Sequence, residues 1–483
     1  MKFFGRQEEV EMLRRWRDVS AEEAQFVVIT GRRRVGKTAL LRNALDDGVI
    51  PYLHLPITRQ SERMLCRELQ AEVEQILNLG ILGTCETFSD LFKVIMKASQ
   101  TRRFTVVFDE FQEFDRINDA VFSQVAAVWD EYHASSKINL VVCGSINRLM
   151  NKIFFNDGEP LYGRNTASFM LKPFKVSLLK QILSEFKPDY TSEDLLALWT
   201  VTGGVARYVN MMTGARALTR RQMVNTIFSP GSSYLSEGRA ILAEEFGPDY
   251  GIYFTILSAI ASGATTTAEL KNLIGVDVNG YLTKLEEQYQ LVSKKQPIFD
   301  KPTGKNCHYQ IDDCFFRFWF RFVFKYRGYI ELERYEQLRE ITLRDFDVFS
   351  GYALERYFHW KFTETTSYAK MGAWWDRKGS EEIDLVCEDE LGGEIAFFEV
   401  KRDPERYSDA RLREKIEKFF EKNPEKRNLR QKSGLLSIAD RLMGAYGAYA
   451  WPKFEVARKR TRRQRIWAIV GSKKFTAKTK MRF

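Results

Sequence analysis

The chain has 483 residues, 44% hydrophobic and 29% charged, which describes a soluble, folded protein too long for one core; roughly three domains are expected. No apolar run approaches the ~20 residues of a membrane span, and Met1 to Arg6 is followed by acidic Glu8, Glu9 and Glu11 rather than a signal-peptide core, so no membrane partner and a cytoplasmic location are expected. Six cysteines without a CxxC pair and four scattered histidines support neither a zinc site nor a disulfide framework. The net charge of +10 is concentrated at one end: eleven Lys/Arg and no acids fall between Arg458 and Phe483, leaving the rest near neutral.

In chain order, Phe4-Gly5-Arg6 precedes a helix carrying Val10, Leu13 and Trp16 at helical spacing; it could pack beside a nucleotide base or be an ordinary capped surface helix. The apolar run Phe26 to Thr30 then feeds Gly31-Arg32-Arg33-Arg34-Val35-Gly36-Lys37-Thr38, which fits G-x-x-x-x-G-K-[ST], and a helix from Ala39 to Ala44. Strand, glycine turn and helix in that order make a phosphate cradle. Its N–H groups would face ATP, Lys37 would reach the β and γ phosphates, and Thr38 would ligate Mg²⁺.

Pro51 to Leu55 reads as a second strand and Ser61 to Leu79 as a long amphipathic helix. Phe104 to Glu110 is a buried strand ending in Asp109 and Glu110, the first suited to the Mg²⁺ shell and the second to polarising a water. Ile138 to Cys143 leads to Ser145, either a γ-phosphate sensor or a helix cap. Arg164, in Leu161-Tyr162-Gly163-Arg164 before a strand at Ser168 to Leu171, is expected on the strand-end face. There it would complete a neighbouring subunit's site as an arginine finger and make the protein a homo-oligomer; a solvated surface Arg is the alternative.

Together Phe4-Gly5-Arg6, GRRRVGKT, the FDEF box at 108–111, CGS at 143–145, LYGR at 161–164 and TGGVARY at 202–208 resemble the archaeal-type P-loop ATPases of the AAA+/STAND neighbourhood. The resemblance implies a five-stranded parallel core, a helical lid and a winged helix. It departs at Ala206, where members usually have Pro.

Thr191 to Ile227 reads as the lid. After the break at residues 229–233 come a helix at Tyr253 to Ala261, one opened by the capping box Thr266-x-x-Glu269, and one at Asn279 to Gln290. A hairpin of Leu291 to Lys295 and His308 to Ile311 around Pro302-Thr303-Gly304 completes a winged helix-turn-helix. Its third helix carries Glu286 and Glu287 beside Lys284, whereas lysines 294, 295, 301 and 305 gather on the hairpin, so DNA binding through the wing and protein packing are equally supported. The aromatic run Phe315 to Lys325 is expected to be a buried interdomain helix rather than a base-stacking platform, with Arg317, Arg321 and Lys325 on one face seeking carboxylates.

Farther on, a helix from Ser350 to Phe362 bears Glu355, and two strands carry Asp384 and Glu399-x-Lys401. Asp384 and Glu399 could share a Mg²⁺ with Glu355 nearby, and Lys401, on the same strand face as Glu399, could orient the attacking water; a surface hairpin with a salt bridge is the alternative. The order E…EID…ExK is similar to the PD-(D/E)XK, restriction-endonuclease-like domain that often ends the ATPase family above.

The expected architecture is therefore multidomain α/β: a P-loop parallel-sheet ATPase core (1–175), helical lid (176–235), winged helix-turn-helix with aromatic helix (236–328), nuclease-like domain (329–452) and basic tail (453–483). The expected activity is ATP hydrolysis by a protein that engages DNA and cuts it with metal. The alternative is a nucleotide-dependent switch or scaffold whose winged helix and inactive nuclease-like fold bind partner proteins.

Overall fold

The computed structural model describes residues 3–438 except 146, 247–249, 302–305 and 378. The basic tail and the hairpin turn Pro302-Thr303-Gly304, with Lys305, lie outside the described residues. Five strands, β1 (Gln25–Thr30), β2 (Tyr52–Pro56), β3 (Phe104–Asp109), β4 (Ile138–Gly144) and β5 (Ala167–Met170), form one sheet in the order β2-β3-β4-β1-β5. Every pair is parallel, and β1, β3 and β4 are buried along their whole length, as continuous Val/Ile/Phe runs require when helices cover both faces. The helices Gln7–Val19 and Lys37–Leu45 cover one face, while Glu62–Leu77, Phe88–Thr101 and Val121–Tyr132 cover the other. Thr30, Asp109 and Gly144 end neighbouring strands, so the loops that follow share one edge of the sheet, where open α/β folds place ligands.

Next come four helices, Val176–Phe186, Ser192–Thr202, Ala206–Gly214 and Arg220–Ile227. Two begin with complete capping boxes, Thr191 with Asp194 and Thr219 with Gln222. Beyond them lie helices at Ser233–Phe246, Tyr250–Ala261, Thr267–Ile274 and Asn279–Thr283, and an antiparallel hairpin of β6 (Val292–Lys295) and β7 (His308–Ile311). The Thr266 and Glu269 capping box forms as expected.

The hairpin is not free on its loop side. Ile298 donates its N–H to Ala373 O at 2.8 Å, and the Phe299 ring meets Phe419 with centroids 6.1 Å apart. Asp300 pairs with Lys422 at 2.7 Å. Ala373, Phe419 and Lys422 all belong to the carboxyl-terminal sheet and its covering helix. The aromatic run is helical from Cys314 and buries Phe315, Phe316, Phe318, Trp319, Phe320 and Phe322, as an element apolar nearly all round should. Of its basic face, Arg321 reaches Asp345 at 3.0 Å and Arg317 lies 3.8 Å over the Tyr352 ring, so the partners come from the long helix beyond the short turn Arg327–Glu331.

That helix runs from Tyr335 to Thr365, fifteen residues earlier at its start than expected. Leu338, Thr342, Phe346, Phe349, Ala353, Tyr357 and Lys361 are buried at three- and four-residue steps, and the intervening charges masked this stripe in the sequence. A second sheet follows, β8 (Lys370–Trp375), β9 (Glu382–Asp389), β10 (Glu394–Lys401) and β11 (Arg430–Ser437), in the order β11-β10-β9-β8. It is antiparallel except for the β10–β11 pair, which the helix Asp409–Lys422 connects. One contiguous apolar cluster reaches from Phe174 to Leu436 and includes one face of this sheet. No helix among the described residues is long and apolar enough to cross a membrane.

Candidate functional site

The loop after β1 turns back because Gly31 and Gly36 take φ of 150° and 102°. A Cβ at Gly31 would sit 2.7 Å from Leu171 O, a backbone atom that cannot yield, so only glycine fits there. The following helix starts at Lys37, so the loop's N–H groups lie at a helix amino terminus. Lys37 is buried and donates to Gly31 O at 2.8 Å, folded over its own loop.

Thr38 Oγ1 donates to Asp109 Oδ2 at 3.0 Å, joining the loop to the end of β3. The same carboxylate is met by His54 Nε2 at 3.1 Å on Oδ2 and by the Cys143 thiol at 2.9 Å on Oδ1. Burial alone would raise its pKa, but the hydrogen bonds of His54 and Cys143, with the charges of His54 and Lys37, hold it down at about 2. Burial and the Asp109 charge push the Cys143 thiol well above its usual value, so it stays a donor. Glu110 follows in a left-handed conformation (φ 56°) that is costly for a residue with a side chain. It accepts from Ser145 Oγ at 2.7 Å and Gln112 Nε2 at 2.6 Å, and Ser145 accepts from Arg33 Nε at 3.3 Å. Lys37, Thr38, Asp109, Glu110 and Ser145 are thus gathered at one sheet edge.

Residues 3–212 match the family described as an ATPase domain predominantly from Archaea, and residues 319–413 match one described as archaeal and bacterial proteins of unknown function. The amino-terminal part is thus similar to archaeal ATPase domains. An uncharacterized protein of Methanocaldococcus jannaschii is 27% identical over 448 residues, covering 91% of this chain and 93% of its own. Among solved structures, a Walker-type ATPase of Pyrococcus abyssi is 19% identical, covering 66% of this chain and 96% of its own, at a TM-score of 0.49. The ORC2 protein of Aeropyrum pernix, solved as ADPNP–ADP complexes, is 15% identical, covering 71% and 96%, at 0.46.

Other parts of the chain close on the ATPase domain's loop. Arg34 pairs with Glu237 at 2.7 Å, Arg32 with Asp313, and the Arg32 guanidinium lies 4.8 Å over the Phe316 ring. Arg207 N–H donates to Arg34 O at 3.2 Å, and a Cβ on Gly36 would touch Ala206 Cβ at 3.5 Å. Ala206 therefore packs directly on the phosphate loop. A cleft of about 420 Å³ opens beside Ser145, walled by Arg32, Arg33, Asp313, Phe316 and Arg356.

Arg164 requires a correction. It precedes β5, whose Ala167 pairs with Val27 near the start of β1, so it lies at the amino-terminal edge of the sheet, away from the phosphate loop. There it is held by Asp130 at 2.7 Å and by Pro160 O. The expectation that it shares the strand-end face is wrong because β5 is parallel to β1 and the motif lies before it, not after it.

In the carboxyl-terminal sheet the four expected residues do come together. Lys401 Nζ bridges Asp384 Oδ2 at 2.8 Å and Glu399 Oε2 at 2.7 Å, and Val400 N–H donates to Asp384 Oδ2 at 2.7 Å. Lys415 adds a 2.6 Å contact to Glu399 Oε1. Burial raises the Asp384 carboxyl against the pull of Lys401; Glu399, though buried, is held below its ordinary value by both lysines. Lys401 is itself raised, because Asp384 and Glu399 outweigh its burial. Glu355, from the long helix, is pushed up to about 8 by burial and by the charges of Asp384 and Glu382. Among the described residues no three His, Cys, Asp or Glu side chains form a ready metal cage.

Sequence reasoning did not find His54, Cys143, Gln112 or Lys415. Their partners lie 55, 34, 2 and 16 residues away. Cys143 and Gln112 carried a local signal, the first as a member of the CGS motif and the second as the residue beside Phe111 in the FDEF box.

Proposed function

We propose that the chain binds and hydrolyses ATP at the phosphate loop, engages DNA, and cuts it in a metal-dependent reaction at Asp384, Glu399 and Lys401. The observation that carries the first part is the join of Thr38 to Asp109, with Glu110 and Ser145 hydrogen-bonded beside it. Thr38 and an aspartate that stays charged at neutral pH offer the hard oxygen donors that Mg²⁺ prefers, and the ion would neutralise phosphate charge when bound. Lys37 leaves Gly31 O for the β and γ phosphates, Gly31 to Val35 wrap the chain of phosphates, Glu110 polarises the attacking water, and Ser145 orients it. Arg164 serves a neighbouring subunit's site in a homo-oligomer; its side chain, 32% exposed, would have to leave Asp130 to reach another copy.

The division into core, lid, winged helix and nuclease-like domain draws support from the two sheets and the helices between them; the tail lies outside the described residues. Asp384 and Glu399 would hold the cleavage metal once Lys401 moves from between them, with Glu355 beside them and Lys401 then turned to the water. Asp384→Ala should abolish Mg²⁺- or Mn²⁺-dependent nicking of plasmid DNA and leave ATPase turnover unchanged.

The switch-or-scaffold reading draws on a specific feature: the hairpin loop is docked on the protein's own carboxyl-terminal sheet through Ile298, Phe299 and Asp300. If wild type and Asp384→Ala are equally inert on duplex and single-stranded DNA with ATP and Mn²⁺ present, that reading replaces cleavage.

A further inference from the structure

The helix Asp409–Lys422 buries Leu412, Ile416, Phe419 and Phe420 against the second sheet. Beside that face, Arg411, Lys415, Lys418 and Lys422 recur at steps of four, three and four, which puts all four on one stripe. The helix's acids lie beside or away from this stripe: Asp409 pairs with Arg413 at 2.7 Å, and Glu414, Glu417 and Glu421 flank the stripe on one side. The basic stripe finds its partners on other elements: Lys415 on Glu399, Lys418 on Glu381 and Lys422 on Asp300.

These partners mark out a path. It begins at the bridged carboxylates of Asp384 and Glu399, passes Glu381 just before β9, and ends at the hairpin loop, where Asp300 is followed by exposed Lys301. Lys418 and Lys422 are 49% and 40% exposed, so their ion pairs are open to water and to exchange for another anion. From residue 411 to residue 422 the helix rises about 17 Å, roughly the axial length of five nucleotides of one duplex strand.

We propose that this stripe is a phosphate track: the backbone of a DNA strand lies along Arg411, Lys418 and Lys422, past the Asp384–Glu399–Lys401 centre and on to the hairpin. Phosphates replace Glu381 and Asp300 on the exposed lysines, and the docked hairpin is the far end of the same surface rather than an idle module. The inference rests on the DNA reading above but not on cleavage.

The test is equilibrium binding of a fluorescent duplex across a salt series, without divalent metal, for wild type and the triple variant Arg411→Gln, Lys418→Gln, Lys422→Gln. Each phosphate contact contributes about 0.9 to the slope of log K against log salt, so the variant's slope should be shallower by roughly two to three. The charge-preserving triple R411K, K418R, K422R should keep the wild-type slope, and the ATPase rate of all three proteins should agree, which reports that they are folded. A wild type that binds DNA with a slope the Gln variant shares overturns the track alone. A wild type that binds no DNA overturns the track and the DNA reading together. Competition by polyglutamate as strong as by DNA at matched charge overturns the nucleic-acid assignment in favour of an acidic protein partner. Loss of nicking with the slope difference intact supports the track and counts against cleavage only.

Discussion

The two acidic centres are built by opposite means. At the end of β3, the Thr38 hydroxyl, the His54 ring and the Cys143 thiol surround Asp109, and against its burial the hydrogen bonds of His54 and Cys143, with the charges of His54 and Lys37, hold its pKa at about 2. At the end of β10, two ammonium groups saturate Glu399 while Glu355 is pushed up to about 8 by burial and like charge. The first centre keeps a negative charge facing a loop made to receive phosphates. The second neutralises itself with its own lysines, so an incoming cation has to displace a resident one.

Changes at the first centre should be the most severe. Lys37→Ala removes the cation placed to reach the β and γ phosphates, and calorimetry should show ATP affinity lost or greatly weakened. Equal affinity would remove the distinction between a receptive and a self-balanced centre. Glu110→Gln keeps shape without charge, so nucleotide should still bind while steady-state hydrolysis falls on the order of 10²-fold or more. Arg164→Ala probes a role outside both centres: mixed with Lys37→Ala subunits, it should recover part of the ATPase rate, and normal hydrolysis by Arg164→Ala alone would end the finger assignment.

The smallest effect is expected at the second centre and sharpens the contrast. Glu355 has a folded pKa of about 8 against an ordinary 4.5. As pH rises through that window the unfolded chain gives up its proton first, so the wild type loses stability between about pH 4.5 and 8. Glu355→Gln stays neutral, and its melting temperature should therefore gain on the wild type by a few degrees across that window and level off above it. A constant difference from pH 5 to 8 would mean that Glu355 is not held protonated.

Much of the ATPase domain was legible because its signals are local. The run Phe26 to Thr30, the Gly31 to Thr38 spacing and the Asp109–Glu110 pair each declare a strand end or a turn within a few residues. The direction of Arg164 was misread because strand polarity, not motif proximity, decides which edge a loop occupies. The second centre was legible in outline, since β-strand alternation puts Glu399 and Lys401 on one face. Lys415 was not, because its approach depends on how the Asp409–Lys422 helix crosses the sheet. The evenly balanced reading of the hairpin could not have been resolved from its lysines: its packing is decided by Ile298 and Phe299, two apolar residues in a loop, which find their pocket on Phe419 and β8.

The helix from Tyr335 to Thr365 also determines where the chain can be divided. Asp347 pairs with Arg220 at 2.6 Å and with Arg402 at 2.9 Å, Ala353 O accepts from the Trp199 indole at 3.1 Å, and Glu364 accepts from the N–H groups of Val176 and Ser177. The same helix lays Phe362 against Phe398 with ring centroids 5.4 Å apart and carries Glu355 to the second centre. A fragment ended before Tyr335 would leave Trp199 and its neighbours uncovered, and one begun after Thr365 would strip a face from β10. Protease nicks within the helix should therefore release no freely folding half, and the exchange of its central amides should track global unfolding rather than the opening of either part.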